Sequence, residues 1–248
     1  MKMVKKCFFS VLLVLSMSFF VLLPSAMASN FKILTENYAP FNYTENGKLT
    51  GLSSEVMQEI LKRIDHPNNI KVMPWSDAYN LISNTQGYIL FSMTRTRERE
   101  GLFKWVGPIA KNQWVFYAKK GSGLKIGSID DARKVAKIGT CKDSAAEQFL
   151  KKEKFANIVS VVDDSENAKK LNAGEIDLWI VGDLQGVYKT KAAGIDPSGL
   201  EKIFEIKDTQ LYIAFSKATE DSEIAKWQKA LDALKAEGIY KKILSKYM

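Results

Sequence analysis

From Phe31 onward the chain alternates short apolar runs with stretches of helical period, and it does so in two successive series. This alternation constrains the fold more than any other feature, because it calls for parallel strands covered by helices. In the first series, Phe31–Leu34 reads as a strand. Ser53 caps an expected helix to about Ile64, with Val56, Ile60 and Ile64 on one face. Ile70–Met73 follows as a strand, Asp77–Ser83 as a short helix and Tyr88–Ser92 as a third strand. Trp114–Ala118 is another strand, closed by the turn cluster Lys119-Lys120-Gly121-Ser122-Gly123. The second series reads Val135–Ile138 strand, Ala145–Lys152 helix, Ile158–Val162 strand, Ser165–Leu171 helix and Leu178–Val181 strand. The tail adds a strand at Gln210–Phe215 and a helix at Ser222–Lys235 that Gly238 stops. Two α/β series without a linker imply two lobes and a cleft between them.

The first 28 residues read as an address. Met1–Lys6 carry three lysines and no acid, Cys7–Leu23 is apolar except for serines, and Ala26-Met27-Ala28 supplies a small-x-small end. Together these make a secretory signal cleaved after Ala28; the alternative is an uncleaved membrane anchor. Cys7 lies too early to be an acylated lipoprotein cysteine. Cleavage leaves 220 residues and lowers the formal charge from +8 to +5. It also leaves one cysteine, Cys141, so no intrachain disulfide is expected. His66, the single histidine, reads as an exposed loop residue and excludes a multi-histidine metal site. Lysines and acids are interspersed without a basic block, which argues against nucleic acid.

In open α/β sheets ligands sit beyond the carboxyl ends of strands. After the first strand come Glu36, Tyr38 and Phe41 on a loop whose turns are fixed by Pro40 and Asn46-Gly47. Tyr38 reads as an aromatic wall, Phe41 as cover for the core edge. After the third strand, Ser92-Met93-Thr94 leads into Arg95, Arg97 and Arg99. A guanidinium recognises a carboxylate in two-pronged fashion, with Ser or Thr hydroxyls completing the shell. A solvated turn neutralised by Glu98 and Glu100 is the other reading, and spacing does not choose among the three arginines. Asp143 or Ser144 caps the helix that starts at Ala145, where unpaired N–H groups favour an anion. Asp183 follows a strand and either holds a ligand ammonium or caps the next helix. Trp75 reads as a stacking surface, whereas Trp105, Trp114 and Trp227 read as structural. Cys141 reads as a small packed residue, since nothing nearby depresses its pKa.

These segments, in this order, resemble the polar amino-acid-binding branch (family 3) of bacterial periplasmic solute-binding proteins. The resemblance rests on Tyr38-Ala39-Pro40-Phe41 with Asn46-Gly47-Lys48-Leu49-Thr50-Gly51-Leu52, and on Met93-Thr94-Arg95-Thr96-Arg97-Glu98-Arg99 followed by Phe103. Leu211–Lys217 and the closing Gly238-Ile239-Tyr240 fit as well. It implies an α/β, two-lobed periplasmic-binding-protein fold, each lobe a mostly parallel sheet flanked by helices, with two hinge crossovers near Ala110–Gln113 and Asp208. Lobe one is then 29–110 with 209–248, and lobe two 114–207. Carried over by position, Arg99 grips the ligand carboxylate, with Thr94 and Ser92 beside it. Tyr38 and Trp75 wall the ligand, and Ser144 and Ala145 meet the carboxylate from the second lobe.

The sequence departs from the family pattern at Asp143, Ala145 and Gly182. Gly182 stands where the family carries its ammonium-binding acid, with Asp183 one position late and Glu36 the possible substitute. The resemblance implies a binding protein without catalytic residues, metal or cofactor. It would act in the periplasm as a monomer, passing an amino acid or related carboxylate to a membrane ABC permease. The alternatives are a dehydratase-like periplasmic enzyme on the same fold and a ligand-binding partner of a membrane sensor.

Overall fold

The computed structural model describes residues 31–247; the secretory signal expected at residues 1–28 lies outside the described residues. Ten strands and eight helices follow in order: β1 (Lys32–Thr35), β2 (Tyr43–Glu45), β3 (Lys48–Thr50), α1 (Leu52–Arg63), β4 (Lys71–Val72), α2 (Trp75–Asn84), β5 (Tyr88–Thr94) and β6 (Phe103–Lys119). The second half contains α3 (Ile129–Ala132), β7 (Ile138–Cys141), α4 (Ala145–Lys152), β8 (Ile158–Val161), α5 (Ser165–Ala173), β9 (Leu178–Gly182) and α6 (Asp183–Ala192). β10 (Leu200–Ser216), α7 (Asp221–Ala236) and α8 (Ile239–Leu244) close the chain.

Eight strands form one sheet in the order β4-β1-β5-β10-β6-β9-β7-β8. At one end β4, β1 and β5 are parallel, and at the other β8, β7 and β9 are parallel. The two 17-residue strands β6 and β10 run antiparallel to each other and to their neighbours between the two ends. Midway along them Gln113 faces Asp208 and Asn112 faces Thr209. The flanking strands β5 and β9 are mostly apolar and buried along nearly all their length, as strands covered on both faces must be.

The buried side chains form two pairs of clusters. At the first end, α1, α7 and α8 pack one face around Val56, Phe215 and Trp227, and α2 packs the other around Ala78 and Leu90. At the second end, α4 covers one face around Phe116 and Leu150, and α5 with α6 covers the other around Leu171 and Trp179. The molecule is a mixed α/β protein in which a central sheet is flanked by helices in two lobes. Among the described residues no helix is long and apolar enough to cross a membrane.

Several boundaries move from the sequence expectation, each for a local reason. α1 starts at Leu52 with Gly51 as its cap (φ 106°), not Ser53, whose hydroxyl is buried inside the helix without a partner. The seventh strand begins at Ile138 and not Val135, because Ile138–Cys141 pairs in register with Ile158–Val161. Trp114–Ala118 and Gln210–Phe215 are parts of β6 and β10, each extended by the long antiparallel pairing. Asn46 and Gly47, both at positive φ, make the tight turn of the β2–β3 hairpin, which the sequence reading registers only as a turn. His66 is half-buried, stacked near Phe31 and edge-on to Trp227.

Candidate ligand-binding site

The carboxyl ends of β1, β4, β5, β7, β8 and β9 surround one cavity, the position expected for a ligand in a sheet of this kind. Its empty volume, including the mouth, is about 490 Å³. Glu36, Tyr38, Trp75, Ser92, Thr94, Arg99, Ser144 and Ala145 all line it. Asp183 does not. Its carboxylate accepts a hydrogen bond from Tyr117 at 2.5 Å and an ion pair from Lys202 at 3.0 Å, facing away from the others.

Arg99 is 1% exposed and is held entirely by neutral acceptors. Nε donates to Gln148 Oε1 at 2.9 Å, Nη1 to the Thr94 carbonyl at 3.4 Å and Nη2 to the Asp143 carbonyl at 3.1 Å. Its guanidinium lies over the Tyr79 ring at 4.7 Å and the Trp75 ring at 5.2 Å. Burial draws its pKa down from 12.5 to about 10, so it stays charged at neutral pH. Arg95, by contrast, is tied to Glu100 at 2.5 Å on the surface. Tertiary placement, not spacing, distinguishes the arginines.

Opposite Arg99 stands the start of α4. Ser144 Oγ accepts from the Glu147 N–H at 3.0 Å, and Glu147 Oε2 accepts from the Asp143 N–H at 2.8 Å. This capping arrangement leaves the first-turn N–H groups of Ala145 and Ala146 without intrahelical partners at the cavity wall. A guanidinium on one side and a helix start on the other suit a carboxylate. Asp143 adopts φ 59°, which aims its carbonyl at both Arg99 and the Trp75 indole N–H at 3.0 Å.

Ser92 is also in the left-handed region, at φ 63°. The β5–β10 register slips between Tyr212 and Ile213, which face Met93 and Phe91, so Ser92 is the extra residue of a bulge. Its hydroxyl is buried without a partner, and the residue is on the cavity wall.

Gly182 explains itself sterically. A Cβ there would lie 2.7 Å from Asn112 Oδ1 and 3.2 Å from the Tyr38 hydroxyl. The Asn112 amide donates to that hydroxyl at 2.9 Å, so the pair fills the space an acid at 182 would need. Burial raises the Tyr38 hydroxyl and the Cys141 thiol well above their usual pKa values, which keeps both protonated.

The sequence reading misses Asp164, Trp114, Gln185, Cys141 and the β9 backbone as parts of the wall. Asp164 directly follows β8 (its helix α5 starts at Ser165), so the search beyond strand ends applied there too. Tyr79, Gln148 and Asn112 act behind the wall, and no local pattern marks them.

Residues 32–248 match the model of bacterial extracellular solute-binding proteins, family 3. The chain is 27% identical over 214 residues to the probable amino-acid-binding protein YxeM of Bacillus subtilis, covering 84% of this chain and 79% of that protein. Among solved structures, a histidine kinase sensor domain with similarity to periplasmic binding proteins superposes with a TM-score of 0.79 at 17% identity, covering 88% of this chain and 96% of that one. An ancestral arginine-binding protein bound to arginine gives 0.77 at 24%, covering 90% and 99%; at these identities both show the fold alone. The chain belongs to the bacterial extracellular solute-binding proteins, family 3.

Proposed function

We propose that this protein captures a small polar solute bearing a carboxylate, an amino acid or a close relative, and delivers it to an ABC-type membrane permease. The observation that carries the reading is Arg99: a buried guanidinium on a cavity wall, hydrogen-bonded only to neutral groups and facing the start of α4. In this reading residues 1–28 are removed on export to the periplasm. Residues 29–110 with 209–248 form one lobe and 114–207 the other. The lobes hinge where β6 and β10 cross between them. Arg99 comes from the first lobe and α4 from the second, so a carboxylate bound by both favours the closed form.

Binding occurs without turnover. Cys141 and Tyr38 are held protonated, the acids do not form a catalytic pair with a nucleophile, and the related proteins are binding proteins.

The test is thermal shift and calorimetry on ligand-stripped protein with amino acids and organic acids. At least one carboxylate solute raises the melting temperature, and Arg99→Ala removes the effect while the circular dichroism spectrum is kept. Failure of every carboxylate, or binding unchanged in Arg99→Ala, overturns the reading. Uptake of the bound solute by a strain lacking the protein checks the transport step: undiminished uptake would move the role to ligand presentation.

A further inference from the structure

Among the described residues, the ion pairs leave out the one guanidinium and both carboxyls on the cavity wall: Arg99, Glu36 and Asp164. Lys189, the nearby cation, pairs with Asp163 at 3.3 Å. Asp164 is 5% exposed. One of its oxygens accepts from Asn167 at 2.8 Å and from the Trp179 indole at 2.9 Å, which fixes the carboxyl in place. Its other oxygen takes no hydrogen bond from the described residues. Glu36 extends from the end of β1, and its backbone carbonyl is held by the Asn42 amide at 2.7 Å. Its carboxylate has no hydrogen-bond partner among the described residues.

Charges withdrawn from water without a paired counter-charge are costly, and a cavity walled by the buried Arg99 and Asp164 and the half-buried Glu36 suits a ligand that supplies the counter-charges. The buried, unpartnered Ser92 hydroxyl on the same wall is a further group awaiting one. The space also continues. Glu36, Trp75, Cys141 and Asp164 are shared with an adjoining cavity of about 710 Å³, including its mouth, whose walls add the apolar Val72, Met73, Pro74 and Val162 together with Asn37 and the Lys189–Asp163 ion pair, in which the two charges offset each other. A ligand held at Arg99 can therefore run an aliphatic stem past the two carboxylates.

We infer that the solute carries one carboxylate and two cationic nitrogens on an aliphatic chain, a diamino or guanidino monocarboxylate of net charge +1. This rests on the reading that Arg99 takes the carboxylate. A zwitterion leaves one of the two wall acids unmatched; a ligand of net +1 matches all three wall charges. Specificity for the cationic groups then comes from Glu36 and Asp164, carried by β1 and the β8–α5 junction. The position at Gly182 is closed by Asn112 and Tyr38.

Calorimetry with four probes tests it: lysine; norleucine, which keeps the chain and loses the terminal charge; 6-aminohexanoate, which loses the α-amine; and 1,5-diaminopentane, which loses the carboxylate. We expect lysine to bind at least about 100-fold tighter than any of the other three. Glu36→Gln and Asp164→Asn, both of nearly unchanged shape, each weaken lysine about tenfold or more and norleucine less than threefold. Norleucine binding as tightly as lysine overturns the inference and leaves the carboxylate reading standing. So does an equal loss for both ligands in the two variants. Diaminopentane equal to lysine, with Arg99→Ala harmless, overturns the underlying reading. Binding of none of the four overturns the inference.

Discussion

Arg99 Nε and Gln148 Oε1, 2.9 Å apart, join the loop that follows β5 to helix α4 across the cavity. Gln148 also donates to the Tyr79 hydroxyl at 3.4 Å, and Tyr79 lies against the guanidinium it helps to hold. Gln148 does not line the cavity itself; it orients the guanidinium that does.

Gln148→Ala should therefore weaken carboxylate binding without abolishing it. Losing one charge-assisted hydrogen bond costs about 1.5–3 kcal/mol, or roughly ten- to hundredfold in affinity. Calorimetry on the variant measures this, with an unchanged melting temperature of the unliganded protein as the control. An effect as large as that of Arg99→Ala would mean that Gln148 contacts the ligand directly.

Gly182 should tolerate no side chain. A Cβ would sit 2.7 Å from Asn112 Oδ1, so Gly182→Ala forces a shift that costs about 1–3 kcal/mol. Urea unfolding of the single variant, set beside the Gly182→Ala, Asn112→Ala pair, isolates the clash. The double variant should lose less than the sum of the two singles. Simple additivity would show that the two side chains do not compete for that space.

Stability of the unliganded protein should fall as pH rises through the Glu36 transition. Burial lifts the Glu36 pKa from 4.5 to about 7, with Asp164 and Asp163 raising it and Lys189 and Arg99 opposing. A carboxyl whose folded pKa exceeds its unfolded value binds more protons folded than unfolded between the two. Its contribution to stability is thus present below about 4.5 and lost as pH climbs to about 7. Glu36→Gln should flatten the melting-temperature profile over that window. A profile unchanged by the substitution would remove Glu36 as its source. Burial shifts Asp164 in the same direction, so some slope should persist in the variant.

Trp227 anchors the first lobe. Its ring meets Phe215 edge-on at 5.1 Å, Phe31 at 6.4 Å and His66 at 5.7 Å. Truncation to alanine in such a core costs about 3–5 kcal/mol, and denaturant unfolding should register it mainly in the lobe that carries α7. Fluorescence of the remaining tryptophans, Trp75, Trp105, Trp114 and Trp179, reports the transition.

What the sequence alone determined was local. The alternation of apolar runs and helical periods is a short-range consequence of which face must be buried, so the two series of strands and helices are readable from it. So is the rule that candidates lie beyond strand ends, which brings Glu36, Tyr38, Trp75, Ser92, Thr94, Arg99, Ser144 and Ala145 to one cavity. The tertiary structure decided everything that depends on two distant segments meeting. Asp183 follows a strand as Asp164 does, but its carboxylate turns to Tyr117 and Lys202 while Asp164 lines the cavity. The Ser53 hydroxyl is drawn inside by packing, and Gly51 caps the helix in its place. Side-chain periodicity records which face is buried. It does not record what stands across the cleft, and in this protein the groups across the cleft fix both the position of Arg99 and the glycine at 182.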